Sequence, residues 1–203
     1  MVYGIIIHSS ECEQDFYFST YYDVENNDDN QHGRQKIIIS RVIEEIKYYE
    51  EDKEKSAQVS KNNKEKYLDL FGVFLPKSTI SEMKIDNEGF FRITDTSIFA
   101  NNINVMWKVL NKICYTLILF AHENIHLADY FLCTFIHASR EHCNKMKKTS
   151  KDITNPFNPD TLLAILYFFL PKGQLMFIND NHAKTMHGEI YKFLEDKTKV
   201  KPK

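Results

Sequence analysis

The most apolar stretch of the chain runs from Ile113 to Phe120, where β-branched, aromatic and leucine residues follow one another with almost no polar break. A run without alternation predicts a strand that is covered on both faces of a sheet. From Asn124 the hydrophobic period becomes helical, because apolar or small residues recur at spacings of three and four: Ile125, Ala128, Leu132, Phe135, Ile136 and Ser139. We therefore expect a central strand that leads into a helix packed along much of its circumference.

The pattern before this stretch predicts two strands and a helix. Residues 1–8 and 15–23 are rich in β-forming side chains and are separated by a polar link, which predicts an N-terminal hairpin. A helical pattern begins at Gly33, and its apolar face comprises Ile39, Val42, Ile43, Ile46 and Tyr49. Residues 50–66 carry mixed charges and almost no apolar side chains, so we expect a mobile insertion there. The alternative for its first residues is a continuation of the helix.

Further strands are predicted between this insertion and the central strand. Residues 67–75 alternate loosely before Pro76, and residues 89–98 predict another strand or strand pair. Residues 105–110 predict the strand that precedes the central one. Between the two lie Asn111 and Lys112, and this two-residue break favours a hairpin, although it lacks the glycine typical of such turns.

The C-terminal part of the chain predicts two more helices. Asn158 is a candidate N-cap with Pro159 at the first helical position, and residues 161–169 are almost wholly apolar. The Pro-Lys-Gly segment that follows ends this helix, and residues 175–178 form a second apolar run. Asp180 is the candidate cap of a last helix, whose apolar face is formed by Ala183, Met186, Ile190 and Phe193.

This order of elements predicts an α+β fold. Two strands, a helix, three further strands and then helices predict a mainly antiparallel five-stranded sheet with helices packed on it and additional C-terminal helices. The 203 residues, 43% of them hydrophobic, are enough for one compact domain over residues 1–203. The order is also that of the longin-like fold, which occurs in small subunits of vesicle adaptors and in several trafficking regulators.

The overall charge and the cysteines narrow the function classes. A formal net charge of −2 gives no basic footprint, which argues against nucleic acid as the main partner and against electrostatic membrane binding. Four cysteines without a C-x-x-C pair fit reduced thiols in the cytosol. Because no run approaches the roughly 18 apolar residues of a membrane helix, we expect a soluble protein whose membrane contact is made through partners.

The junction after the central strand contains the sequence H-E-x-x-H, formed by His122, Glu123 and His126. On a helix, two histidines at this spacing can hold zinc while the glutamate acts as general base, so a zinc peptidase is one hypothesis. His122 follows the strand directly, however, and no third ligand is indicated; Glu141 and Glu189 are merely available carboxylates. The alternative is a partly solvated helix face formed by His126, Asp129, Cys133, His137 and Arg140.

Two segments resemble the sigma subunit of the fifth adaptor protein complex. The first is the junction itself, through Ala121, His122, Glu123, Asn124, Leu127, Ala128 and Asp129. The second is the run FLPKGQLMFIND at residues 169–180. The resemblance is sharpest over residues 105–195. It departs from the family pattern at His126, where an apolar residue is expected, and in the charged insertion. It therefore makes H-E-x-x-H a structural junction.

The resemblance implies a non-enzymatic small subunit of a heterotetrameric adaptor, without catalytic, cofactor-binding or metal-binding residues. The implied partners are the large zeta and beta subunits and the medium mu subunit, together with spatacsin and spastizin. The implied location is the cytosol, peripheral on late endosomes and lysosomes, with a role in retrieval of cargo toward the Golgi. A longin-type trafficking regulator is a further alternative.

The apolar content of residues 161–178 also points to a partner. It exceeds what a short surface helix and loop can bury, and such a surface either marks an interface or closes the far side of the sheet. The interface hypothesis predicts that changing Phe168 and Leu170 to aspartate releases the partner.

Overall fold

The computed structural model describes residues 1–23, 29–59, 85–95, 97–147 and 157–199. Within these residues five strands form: β1 (Val2–Ser9), β2 (Phe16–Tyr21), β3 (Asn87–Ile93), β4 (Ile103–Leu110) and β5 (Ile113–Phe120). Four α-helices accompany them: α1 (Gln31–Val59), α2 (Ile125–Lys147), α3 (Pro159–Phe169) and α4 (Asp180–Lys199). The N-terminal hairpin, the central strand and the helix that follows it are confirmed.

The strands form one antiparallel sheet in the order β2-β1-β5-β4-β3. β5 therefore lies in the middle, paired with β1 on one side and with β4 on the other. A central strand has helices above and below it and no solvated face, which explains why its sequence is apolar at almost every position. The position of β5 was predicted from this pattern.

Helices cover both faces of the sheet. On β4, Trp107 and Val109 belong to the core that packs against α1, whereas Met106 and Leu110 belong to the core that packs against α2, α3 and α4. This alternation follows from the two-residue period of a strand. The result is a three-layer α+β arrangement of the longin-like kind, as expected, with α1 on one side and the other three helices opposite.

The turn between β4 and β5 is made by Asn111 and Lys112, with φ angles of 52° and 64°. Two successive left-handed residues are typical of the two-residue hairpin turn whose twist matches that of the strands. The predicted hairpin is confirmed although neither residue is glycine. Lys112 therefore adopts a strained left-handed conformation at a position where glycine is preferred.

The predicted charged insertion begins inside α1, because this helix continues to Val59. The alternative of a helical extension therefore applies to residues 50–59. Residues 60–66 and the strand predicted at 67–75 lie outside the described residues. The expectation of mobility for the insertion stays a prediction.

The strand predicted over residues 89–98 ends at Ile93, so its predicted C-terminal end was wrong. The side chain of Asp95 explains the early end. Its Oδ1 accepts hydrogen bonds from the backbone N–H of Ser97 at 2.9 Å and from the Ser97 hydroxyl at 2.6 Å. This local turn competes with continued strand pairing.

Two details of the C-terminal helices differ from the prediction. The cap of α4 is Asn179 and not Asp180, because the Asn179 Oδ1 accepts the backbone N–H of His182 at 2.8 Å. On α4 the buried face continues to Leu194, while Phe193 is 44% exposed. The cap of α3 is Asn158, as predicted. No helix among the described residues is long and apolar enough to span a membrane.

Candidate functional site at the strand-to-helix junction

The H-E-x-x-H motif lies between β5 and α2 and reaches only the first turn of the helix. β5 ends at Phe120 and α2 begins at Ile125. Asn124 is the N-cap: its Oδ1 accepts the backbone N–H of His126 at 3.0 Å and that of Leu127 at 3.1 Å. These bonds satisfy donors that the first helical turn leaves without intrahelical partners. His122 and Glu123 therefore belong to the turn before the helix.

The side chains of the motif differ in exposure and in the residues that they contact. His122 is 77% exposed, and its ring stacks on Phe120 with centroids 5.8 Å apart. Glu123 is 16% exposed and forms an ion pair with the amino group of Met1, which ties β1 to the junction. His126 is exposed at the start of α2. Because His122 precedes the helix, the two histidines do not share a helix face in the way a zinc peptidase requires.

The two carboxylates considered as third ligands lie elsewhere. Glu141 is near His137 and His187, and Glu189 forms an exposed ion pair with Lys192 at 2.8 Å. In the described part of the chain, no group of three metal-capable side chains includes a histidine of the motif. The arrangement fits a structural junction better than a hydrolytic centre.

A buried lysine that the sequence analysis missed anchors α2 to the sheet. Lys108 on β4 is 5% exposed and lies 2.8 Å from Asp129 Oδ1 on α2, and it also forms an ion pair with Glu88 on β3. Burial alone would lower the pKa of Lys108, but its acidic neighbours outweigh that effect and raise the pKa. The lysine therefore stays charged and serves as an electrostatic link. Its position in the strand was the available signal, because Lys108 lies on the same face of β4 as Met106 and Leu110.

All four cysteines are free thiols, as the sequence analysis expected. Burial raises the pKa of Cys133 to about 11, although Lys108 partly opposes the shift. Burial also raises the pKa of Cys114 to about 12. Thiols with such pKa values are protonated at neutral pH and are poor nucleophiles. Cys114 and Cys133 therefore fit packing roles.

Large apolar side chains are exposed on α3 and in the segment before α4. Leu163 and Tyr167, one turn apart on α3, are 48% and 75% exposed, and Phe177 is 73% exposed. Phe177 stacks on Tyr130 of α2 with ring centroids 5.9 Å apart. We call Leu163 and Tyr167 the α3 surface. Exposed apolar side chains of this size are typical of a protein interface.

The two residues chosen from sequence for this interface do not form it. Leu170 is fully buried, and Phe168 is partly buried against the core between the sheet and α2, α3 and α4. An aspartate at Leu170 would therefore disrupt the core and could not report on a partner. The interface test belongs to the α3 surface instead.

Comparison with known proteins gives these features a context. The family model described as AP-5 complex subunit sigma-1 matches residues 1–191. The chain belongs to the AP-5 complex subunit sigma-1 family. Its members are small subunits of an adaptor complex, so the family indicated by the junction and by residues 169–180 is confirmed.

The human AP-5 complex subunit sigma-1 is 29% identical to this chain over 102 residues. The alignment covers 50% of the chain and 50% of the human protein. The chain is thus matched to about half the length of this relative.

Proposed function

We propose that this chain is the non-enzymatic small subunit of a heterotetrameric AP-5-type adaptor and acts through assembly with the other subunits. The proposed partners are the large zeta and beta subunits and the medium mu subunit, with spatacsin and spastizin as associated proteins. The proposed site of action is the cytosolic side of late endosomes and lysosomes, in retrieval of cargo toward the Golgi. The match of the family model to residues 1–191 carries this proposal.

The geometry of the junction supports a role without catalysis. Glu123, the general base of the zinc hypothesis, is paired with the amino group of Met1, and Asn124 caps α2. Both contacts are structural: the first links the start of β1 to the junction, and the second fixes the start of α2. These contacts give Glu123 and Asn124 structural roles, which supports a subunit that acts through assembly.

The α3 surface supports assembly with a large subunit. α3 is apolar on nearly all sides, and Leu162, Ile165 and Phe169 already fill the core. Leu163 and Tyr167 therefore add apolar area that folding of the described residues leaves in water. Covering a leucine or an aromatic side chain fully contributes about 1.5–3 kcal/mol, and aromatic side chains often dominate such interfaces.

The proposal is tested by affinity isolation of the tagged full-length chain from its own cells, with mass spectrometry of the proteins that co-purify. Two large chains and one medium chain of an adaptor in near-equal amounts are expected. Isolation of the folded chain without any adaptor subunit would overturn the proposed function.

The interface is tested by changing Leu163 and Tyr167 together to aspartate. The double variant should keep its fold, because both side chains are at the surface, and should recover at least about tenfold less of the large chains, since two charges would be buried on assembly. Tyr48→Asp is the matched control, because Tyr48 is 63% exposed on α1, across the sheet. Equal recovery of the large chains with the double variant and with the control would show that the α3 surface is not the interface.

A further inference from the structure

A cluster of histidines and one glutamate joins the second half of α2 to α4. His137 and Glu141 lie one turn apart on α2, and His187 on α4 faces them. Each of the three offers one ligand atom, and these atoms all lie within 4.8 Å of one another. The Nδ1 of His187 is 3.8 Å from Glu141 Oε2.

The spacing of the cluster is close to that of a metal site. Metal–ligand distances of about 2.0–2.2 Å in tetrahedral geometry place neighbouring ligand atoms about 3.3–3.6 Å apart. The side chains therefore need to contract by only about 1 Å, which rotation about their own bonds supplies. Imidazole and carboxylate ligands at positions i and i+4 of one helix, with a third ligand from a neighbouring helix, suit a zinc ion.

The surroundings hold the third ligand in place. The ring of His187 packs on Phe169 of α3 at a centroid distance of 5.4 Å. It also lies nearly parallel to the ring of His142, with His142 Nε2 and His187 Nδ1 2.9 Å apart. His142 is itself buried and packs on Tyr191 at 4.6 Å. Packing on Phe169 and His142 restricts the rotation of the His187 ring. Because Nδ1 faces both Glu141 and His142, an ion bound at this nitrogen would replace its contact with His142 Nε2.

The cluster is partly accessible to solvent. His187 is 18% exposed and Glu141 is 34% exposed, so an ion can reach the three side chains from water. Three protein ligands leave one tetrahedral position for a water molecule. We propose that His137, Glu141 and His187 bind one divalent transition-metal ion of the zinc class and thereby clamp α4 to α2.

A bound metal ion would strengthen the attachment of α4 to α2. α4 follows α3 near the end of the chain, and its buried face packs through Met186, Ile190 and Leu194. A metal ion shared between α2 and α4 would add a link within this face that exists only in the folded state. Binding energy of that kind stabilises the native fold, and above the dissociation constant the stabilisation grows with the logarithm of the metal concentration.

The direct test is isothermal titration of the purified, metal-stripped full-length chain with zinc chloride. One zinc ion per chain is expected, and the melting temperature should rise by about 5–10 °C at a zinc concentration near 100 times the dissociation constant. His187→Ala and, separately, Glu141→Gln should weaken binding at least about tenfold and remove most of the thermal shift. Glu141→Gln keeps the shape of the side chain and so guards against a folding defect in the alanine variant.

Two matched controls lie on α4. His182→Ala and Glu189→Gln remove an exposed imidazole and an exposed carboxylate outside the cluster, and both should leave zinc binding unchanged. The cobalt-loaded protein should show the spectrum of nitrogen and oxygen ligands without a thiolate charge-transfer band. The absence of stoichiometric binding by the wild-type chain would overturn the proposal. So would a thiolate band, or unchanged affinity in both His187→Ala and Glu141→Gln.

Discussion

At the scale of single residues, Lys108 shows how a buried charge depends on its partners. The ammonium group is held by Asp129 and Glu88, and Asp129 is 37% exposed. Asp129→Ala should lower the free energy of unfolding by about 2 kcal/mol, less than the 3–5 kcal/mol typical of a fully buried pair, because water reaches the site. Lys108→Met should cost less, since it removes the buried charge itself. Urea unfolding of both variants checks the order, and a larger loss in Lys108→Met would contradict it.

His8 makes the stability of the fold depend on pH. It is buried on β1, with Nδ1 2.7 Å from the carbonyl oxygen of Ser9 and Nε2 3.2 Å from the hydroxyl of Thr116. The neutral ring fits both contacts if Nδ1–H donates to Ser9 and Nε2 accepts from Thr116. Burial lowers the pKa of His8 from 6.5 to about 4, although the hydrogen bond to Ser9 partly opposes this shift.

The sign of the His8 effect follows from these two pKa values. Between about pH 6.5 and pH 4 the unfolded chain binds the proton and the folded chain does not, so the stability falls as the pH is lowered through this window. His8 should contribute a loss of about 3 kcal/mol between pH 7 and pH 4. Thermal unfolding across this range should show a shallower slope for His8→Gln than for the wild type. Equal slopes would rule out the assignment.

Contacts between side chains from different elements could not be predicted from the sequence. Residue 108 lies in a strand that was predicted correctly, but its lysine gives no sign of which partners approach it, because Glu88 and Asp129 come from other elements. The metal-capable group was missed for the same reason. His137 and Glu141 share a helix in the sequence, whereas His187 joins them only through the packing of α4 on α2.

At the scale of elements, variants at the start of α2 distinguish a structural junction from a metal-binding motif. Asn124 caps two backbone N–H groups, so Asn124→Ala should destabilise the fold by about 1 kcal/mol. His126→Ala, at an exposed position, should change the stability by no more than about 0.5 kcal/mol. Chemical unfolding of the two variants in zinc-free buffer gives the comparison. A larger loss with His126→Ala would contradict the structural interpretation.

The β4–β5 turn offers a stabilising change. Lys112 has a φ of 64°, and glycine at this position would relieve the left-handed strain by about 1 kcal/mol. Lys112→Gly also loses the exposed ion pair with Glu11, which contributes little. A net gain of about 0.5 kcal/mol is expected in urea unfolding. Lys112→Ala is the matched control, because it loses the ion pair and keeps the strain, and it should not be stabilising.

Periodicity predicted some elements well and others less well. β5 and α2 were predicted because one has a continuous apolar run and the other a clear helical stripe. The continuation of α1 to Val59 was left open, because the charged residues after Glu50 have no apolar face to extend. On α3 and at Leu170 just after it nearly every residue is apolar, so the pattern could not show that Leu170 faces the core while Tyr167 faces solvent.

At the scale of the whole molecule, the fold class was within reach of the sequence because element order limits the possible architectures. Three of the pairings join strands that follow one another in the sequence: β1 with β2, β3 with β4 and β4 with β5. The pairing of β1 with β5 joins distant parts of the chain, and local patterns do not specify it. The assignment to an adaptor family rested on resemblance at the junction and at residues 169–180, and it does not follow from the fold alone.

The central position of β5 has a consequence for folding of the protein during its synthesis on the ribosome. Ser9 pairs with Ile113, so β1 must wait for about 100 further residues, which take about 5–20 s to synthesise. During that interval the nascent chain presents an open, strongly apolar strand edge, a known liability for aggregation. A fragment ending at residue 112 should therefore be captured by chaperones on the ribosome, whereas one extending through α2 should be released from them. Pairing of β5 with β1 therefore ends the interval in which the nascent chain is prone to aggregate.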